Sequence, residues 1–212
     1  MQIKINLKIF IFLFLFYLTR QIEVYALIML FALIHEMGHL IAGLILGLKP
    51  QKINIMPLGF SIMFEEYKSI ERLNIKKAMI AIAGPITNLI IILLTFVLQV
   101  YISDYIAEMI IYANLLICIF NLLPIYPLDG GRIINSILNI RVGLKESMII
   151  TNKVSNIVIV LLTILASILI LYIQNLAVFF IICYLWILVL RENKIVNLKI
   201  KMYDAIEMKN AN

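Results

Sequence analysis

The segment HEMGH, residues 35–39, places two imidazoles and a carboxylate within an otherwise apolar run. Side chains four residues apart lie on one face of a helix, so His35 and His39 are placed to hold one metal ion. Glu36 lies beside them, where a carboxylate can accept a proton from a bound water molecule. This H-E-x-x-H spacing is typical of zinc hydrolases.

The alternative is that both histidines form hydrogen bonds between helices. Against it, His35 and His39 are the only histidines of the chain, and both fall near the middle of a hydrophobic segment. An ionisable side chain such as Glu36 is costly inside a membrane, so its presence there indicates function. We therefore favour a metal site.

Two histidines do not complete a catalytic zinc site, which usually has three protein ligands and one open position. Among the carboxylates, Asp129 stands out because Pro124 and Pro127 precede it and glycines follow it at 130–131. Proline ends a helix and glycine permits a sharp turn, so this segment can bring Asp129 from the end of one span toward its neighbour. Capping of the helix that begins near residue 131 is the alternative role. With a zinc site left incomplete, we predict ligation.

The composition indicates the surroundings of this site. The chain has 212 residues, of which 64% are hydrophobic and 14% are charged, and its mean hydropathy is +1.06. These values indicate an integral membrane protein in a lipid bilayer. In such a protein a net charge of +6 is expected to set orientation, so no nucleic-acid partner is predicted.

Apolar runs long enough, or nearly long enough, to cross a bilayer predict six transmembrane helices. They lie at Ile3–Leu18, Val24–Leu48, Ala78–Val100, Ile106–Pro124, Val154–Tyr172 and Leu176–Leu190. With six spans, every lysine and arginine except Arg20 falls on one side, which predicts that both termini are cytoplasmic. The fold class is therefore an all-α polytopic membrane protein, with a membrane domain at 1–190 and a short charged cytoplasmic tail at 191–212.

One segment between the second and third helices differs from this pattern. Lys52–Phe64 alternates weakly and breaks at residues 57–59, which predicts a short membrane-surface β-hairpin. An edge strand there can pair with an unwound substrate, and we place Ile55 and Ser61 among its substrate-binding positions. The alternative is an interfacial loop that covers the site.

HEMGH and the later segment FNLLPIYPLDGGR, residues 120–132, resemble the site-2 protease family of intramembrane zinc metalloproteases. The sequence of the second segment is most similar to that of the stage IV sporulation factor B branch. The resemblance implies that His35, His39 and Asp129 bind one Zn²⁺ ion and that Glu36 is the catalytic acid and base.

The same resemblance implies a substrate-binding site. Asn121 and Pro127 match positions that shape it. The segment AGPITN, residues 83–88, resembles a third family motif beside the active site, and it adds Asn88 to the predicted substrate contacts. Ordinary helix packing with a satisfied amide is the equal alternative for this segment.

By resemblance, the chain is an intramembrane zinc metalloendopeptidase that carries out regulated proteolysis of a membrane-associated protein. The implied substrate is the precursor of a sporulation sigma factor, and membrane partners would hold the protease inactive. The implied location is the mother-cell membrane around the forespore. Members of this branch often carry a nucleotide-sensing CBS domain, but the predicted tail at 191–212 is too short for a CBS or PDZ domain. Control by ATP is therefore not predicted.

Two other functions fit the same residues. A metal-binding transporter could use the His/Asp site for transit, although transporters more often show inverted repeats, and none is visible here. A catalytically inert relative acting as a binding partner would not need Glu36, which is present.

The six-helix topology predicts the accessibility of two loops. A cysteine replacing Ser69, in the basic loop, should react with a membrane-impermeant thiol reagent only from the cytoplasmic side. A cysteine replacing Ser103 should react only from the opposite side. Labelling of both from one side would contradict six spans.

Overall fold

In the computed structural model, residues 2–5, 8–18, 20, 22–56, 59–64, 70–173 and 176–211 are described. They divide into two compact units, residues 1–122 and residues 123–212. The elements of the first unit are β1 (Gln2–Ile5), α1 (Lys8–Leu18), α2 (Ile22–Ile45), β2 (Pro50–Met56), β3 (Gly59–Phe64), α3 (Ile70–Leu98), a 3-10 turn (Gln99–Tyr101) and α4 (Asp104–Leu122). Those of the second are α5 (Asp129–Val142), α6 (Leu144–Ile173) and α7 (Leu176–Ala211).

Within these described ranges, four helices are long and apolar enough to cross a membrane. They contain 19 to 29 residues and lie at Ile22–Ile45, Leu73–Tyr101, Asp104–Leu122 and Leu144–Tyr172. About 20 apolar residues are needed to cross the hydrocarbon core, so the integral membrane class is confirmed. These helices correspond to the second to fifth predicted spans, and the count of six stays a prediction.

The first predicted span, Ile3–Leu18, differs in the structure. Its beginning is strand β1, and α1 contains only 11 residues, which at 1.5 Å per residue is about 16 Å. The sequence QIKI of β1 alternates apolar and polar residues, the period of a strand and not of a helix. Mean hydropathy over the whole run conceals this local alternation.

Three strands form one sheet in the order β1-β2-β3. Strand β1 pairs in parallel with β2, from Gln2 opposite Lys52 to Ile5 opposite Ile55. Strands β2 and β3 pair antiparallel. Of the predicted break at residues 57–59, residues 57 and 58 lie outside the described residues and Gly59 begins β3. Ile55 therefore lies in the central strand, whose two sides are both paired. A central strand has no free edge, and the substrate-binding role of Ile55 stays a prediction.

The end of α2 fixes where the sheet begins. The Leu48 N–H donates to the Gly43 carbonyl and the Gly47 N–H donates to the Leu44 carbonyl, both at 2.9 Å. Gly47 has a φ of +77°, the left-handed conformation that glycine adopts most readily. These two bonds are those of a Schellman motif, so α2 ends sharply and the chain turns into β2.

In the second unit, a turn leads into α5. The Tyr126 N–H donates to Ser155 Oγ of α6 at 2.9 Å, and the Leu128 N–H donates to the Ile125 carbonyl at 2.8 Å. A Cβ on Gly131 would collide with backbone atoms of Ile125 and Tyr126. The glycine therefore lets the turn fold closely onto the first turn of α5.

Helix α7 contains 36 residues and continues through the predicted domain boundary at residue 190. The segment after 190 has neither proline nor glycine, so its local helix preference is unbroken. Lys145 Nζ lies 2.7 Å from Asp204 Oδ1, which ties this segment to α6. The predicted charged tail is thus helical in the structure.

Candidate metal centre

His35 and His39 are buried on α2, and each has 2% of its surface exposed. Their Nε2 atoms lie 3.1 Å apart, and the two rings are nearly perpendicular, at 84°. One ligand atom from each of His35, Glu36 and His39 lies within 4.8 Å of the others. The spacing predicted from the sequence therefore brings all three groups together.

The other ring nitrogen of each histidine is bonded to an atom of α3. His39 Nδ1 lies 2.7 Å from the Ile80 carbonyl oxygen, and His35 Nδ1 bonds to Asn88 Oδ1. Both oxygens can only accept, so both Nδ1 atoms must carry the hydrogen. In neutral rings this leaves the lone pairs on the two Nε2 atoms.

Two lone pairs facing each other at 3.1 Å repel unless a positive charge lies between them. A proton there would make one ring an imidazolium, whereas a metal ion would accept both lone pairs. Zinc binds histidine nitrogen at about 2.0–2.1 Å in tetrahedral geometry, so two such nitrogens lie about 3.3 Å apart. The donor set and its spacing therefore fit zinc.

Gly84 of α3 leaves space at the same point. A Cβ built on this buried glycine would overlap Nε2 of both His35 and His39. A side chain at this position would therefore occupy the volume in which the two nitrogens converge. Glycine is required here because no other residue leaves that volume empty.

Gly38, between the two histidines, has a related role. A Cβ at Gly38 would collide with the Thr87 side chain and approach the Ala83 carbonyl oxygen to 3.1 Å. Helices α2 and α3 therefore approach closely where HEMGH meets AGPITN. This approach is what brings Asn88 and the Ile80 carbonyl within reach of the imidazoles.

Asn88, predicted as a substrate contact, is bonded to protein groups at both ends of its amide. The side chain has no exposed surface; Oδ1 bonds to His35 and Nδ2 donates to Asn114 Oδ1 at 2.9 Å. These bonds hold the His35 imidazole in place and are those expected of a satisfied packing amide, and the substrate role of Asn88 stays a prediction. Asn114 is not among the predicted site residues, although it is a polar amide in the apolar run of α4.

The other predicted substrate residues lie at the end of α4 and in the turn after it. Asn121 is partly buried, and its Nδ2 donates to the Ile117 carbonyl at 3.0 Å. Pro127 lies in the turn of the second unit that precedes α5. In the same turn, burial raises the pKa of the Tyr126 phenol, an effect that Arg132 opposes. The substrate roles of Asn121 and Pro127 stay predictions.

Asp129 is buried in the first turn of α5, with 4% of its surface exposed. The N-cap position belongs to Leu128, so Asp129 is the first residue of α5 and not its N-cap residue. Its Oδ1 lies 3.7 Å from Arg132 Nη1. Ligation of the ion held by the histidines stays a prediction for this residue.

The structure combines apolar helices long enough to cross a membrane with two buried histidines of an H-E-x-x-H motif. These features together define the class of membrane-embedded metallopeptidases. The model of Peptidase family M50 matches residues 23–110 and 102–165. The chain therefore belongs to peptidase family M50, and the family predicted from HEMGH and PLDGG is confirmed.

Similar proteins agree with this membership. A zinc metalloprotease of Methanocaldococcus jannaschii is 33% identical over 61% of this chain and 38% of its own length. Stage IV sporulation protein FB of Bacillus subtilis is 29% identical over 55% of this chain and 41% of its own length. The matches thus cover about two fifths of each relative.

A solved structure supports the fold. The site-2 protease from Methanocaldococcus jannaschii aligns with 90% of this chain and 89% of its own, at a TM-score of 0.67 and 21% identity. This similarity establishes a fold like that of the site-2 protease.

The role of Gly84 is testable. Gly84→Ala should reduce the zinc content of the purified protein severely, because the added methyl group occupies the space between the two Nε2 atoms. Metal analysis of the detergent-solubilised protein would measure this. Ile86→Ala, an exposed position of the same helix, should retain zinc. Full zinc content in Gly84→Ala would show that the ion lies elsewhere.

Proposed function

We propose that this protein is an intramembrane zinc metalloendopeptidase. The observation that carries the proposal is the pair of buried imidazoles whose Nδ1 atoms are held by acceptors and whose Nε2 atoms face each other at 3.1 Å. Family membership supports the same chemistry. It does not favour a transporter that uses these ligands.

His35 and His39 would hold the ion through Nε2. Bound zinc supplies an acidified water and a polarised scissile carbonyl. Glu36, whose carboxylate lies within 4.8 Å of the histidine ligand atoms, accepts a proton from the attacking water and returns it to the leaving amine. The burial of His35 and His39 limits their contact with bulk water, which strengthens these electrostatic contacts.

Asp129 is proposed as the third ligand. The support is its burial, its position directly after the turn at 123–128, and the resemblance of PLDGG to the family motif. We propose that Asn121, which precedes the same turn, and Pro127, which lies in it, shape the substrate site.

Strand β3 is proposed to bind substrate by strand addition. Among the residues that the structure describes, it is an outer strand of the sheet, and only β2 pairs with it. Gly43 of α2 packs against the Phe64 ring at the end of β3, one helical turn, about 6 Å, beyond His39. An extended substrate added to this strand would therefore enter the region of the histidines. Ser61 lies on β3 and keeps its proposed role.

We propose that the substrate is a membrane-associated protein, specifically the pro-sequence of a sporulation sigma factor precursor, and that membrane partners inhibit the enzyme. The similarity to a sporulation protein supports this. The proposed topology has six spans with both termini in the cytoplasm. The proposed location is the mother-cell membrane around the forespore.

Two carboxylate substitutions test the catalytic assignment. Glu36→Gln should retain zinc near the wild-type level while lowering cleavage about 10²–10⁴-fold, because it removes the general base but no ligand. Asp129→Asn should lower zinc retention in detergent, because it weakens a ligand. Zinc analysis and co-expression with a tagged sigma factor precursor in a host without sporulation genes would measure both.

The paired outcome is decisive. Loss of zinc from Glu36→Gln would place Glu36 among the ligands and contradict its role as base. Full zinc and full cleavage in Asp129→Asn would remove Asp129 from the site. A wild-type protein that retains no zinc would contradict the proposed function itself.

Proline substitution tests strand addition. Along an outer antiparallel strand, N–H groups alternate between the paired neighbour and the free edge. Of the neighbours Ser61 and Ile62, one should therefore lose cleavage when replaced by proline, with the fold and zinc content preserved. Proline at the other should disturb the β2–β3 pairing itself.

Alanine substitution at the edge-facing position should have only a mild effect on cleavage, because the backbone N–H and not the side chain pairs with substrate. Ile55→Pro, in the central strand, should destabilise the sheet. Normal cleavage by both the Ser61 and Ile62 proline variants, correctly inserted and zinc-loaded, would make the sheet a cover over the site.

A further inference from the structure

A chain of buried amide hydrogen bonds connects the metal centre to a third helix. It starts at His35 Nδ1, passes to Asn88 Oδ1 on α3, and continues from Asn88 Nδ2 to Asn114 Oδ1 on α4. Asn114 Nδ2 then donates to the Ile110 carbonyl at 2.8 Å. Neither amide side chain has exposed surface.

The last member sets the direction of the whole chain. The Ile110 oxygen can only accept, so the Asn114 side chain must present its NH₂ to it and its oxygen to Asn88. Asn88 must then present its NH₂ to Asn114 and its oxygen to His35. A backbone carbonyl on α4 thus requires the proton of His35 to be on Nδ1.

Without the Asn114 amide, the orientation of the Asn88 amide would no longer be fixed. The Asn88 amide could rotate by half a turn and present its NH₂ to His35 Nδ1, which would then act as acceptor. The proton of His35 would move to Nε2, the atom that faces His39. A hydrogen on Nε2 blocks metal binding by that nitrogen, because only the lone pair can bind.

We propose that Asn114 is a positioning residue that fixes the tautomer of His35 through Asn88 and so keeps Nε2 available for metal. The inference rests on the proposed zinc site but concerns a residue that touches no ligand atom. Groups that orient a histidine ligand through its second nitrogen typically change metal affinity 10- to 100-fold when removed. Asn114 is one residue further from the metal site than such a group. It acts through the Asn88 amide, which has two possible orientations.

The matched variants all lie in the first unit. Asn114→Leu has similar volume and no amide. Asn114→Ser is a second disruptive variant that can still bond within its own helix but is too short for Asn88. Asn114→Asp, as a neutral acid, can donate to the Ile110 carbonyl and accept from Asn88, so it should restore the direction. Thr95→Val removes another buried hydrogen bond, from Thr95 Oγ1 to Ile91 O, outside this chain.

Two measurements on the full chain distinguish an effect on the His35 tautomer from an effect on zinc binding. Because the protein has only two histidines, ¹⁵N-histidine labelling of protein without a histidine tag gives two imidazoles by NMR. In zinc-free protein at a pH where they are neutral, His35 should carry its proton on Nδ1. The Leu and Ser variants should move it toward Nε2, while His39, bonded to the Ile80 carbonyl, stays unchanged. Zinc affinity, measured by chelator competition, should fall about 10- to 100-fold in the same variants.

Asn114→Asp and Thr95→Val should both remain near wild type in zinc affinity. An unchanged His35 tautomer in both disruptive variants, or an equal loss of affinity in Thr95→Val, would overturn the proposal. A third outcome is that the disruptive variants shift the His35 tautomer but the wild-type protein itself binds no zinc. That result would support the role of Asn114 and contradict the proposed function instead.

Discussion

The structure of the first unit depends on holding two imidazole nitrogens face to face, 3.1 Å apart, inside an apolar helical bundle. Such an arrangement is unfavourable without a cation, and each ring must be prevented from rotating or exchanging its proton. The Ile80 carbonyl and the Asn88 amide do this from α3. Since the membrane interior offers no water as a substitute partner, these acceptors must come from the protein itself.

This requirement explains why α3 carries a small-residue motif beside the histidines. Gly38 lets α2 and α3 approach, and Gly84 leaves the space between the two Nε2 atoms empty. Asn88 lies one helical turn beyond Gly84 on α3 and reaches His35. HEMGH and AGPITN therefore form the candidate metal centre together, and a change in either segment alters the geometry of the other.

The sheet is connected to the same helix. Phe64, at the end of β3, packs on Gly43, which follows His39 by one turn. The Schellman motif at Gly47 ends α2 and turns the chain into β2, and β1 covers the other side of β2. The outer position of β3 thus follows from the pairing of β1, and it determines which strand of the hairpin can accept a further strand.

The sequence by itself determined the membrane class, helices α2, α3, α4 and α6, and the family, because hydropathy and i,i+4 spacing are local properties of the chain. It also placed His35, Glu36 and His39 on one helix. Only the tertiary structure decided that Asn88 and Asn114 bond in a line to His35, that Gly84 faces both imidazoles, and that residues 2–5 form a strand. These depend on which helices and strands meet and on the atoms each presents there, and spacing along the chain does not encode such contacts.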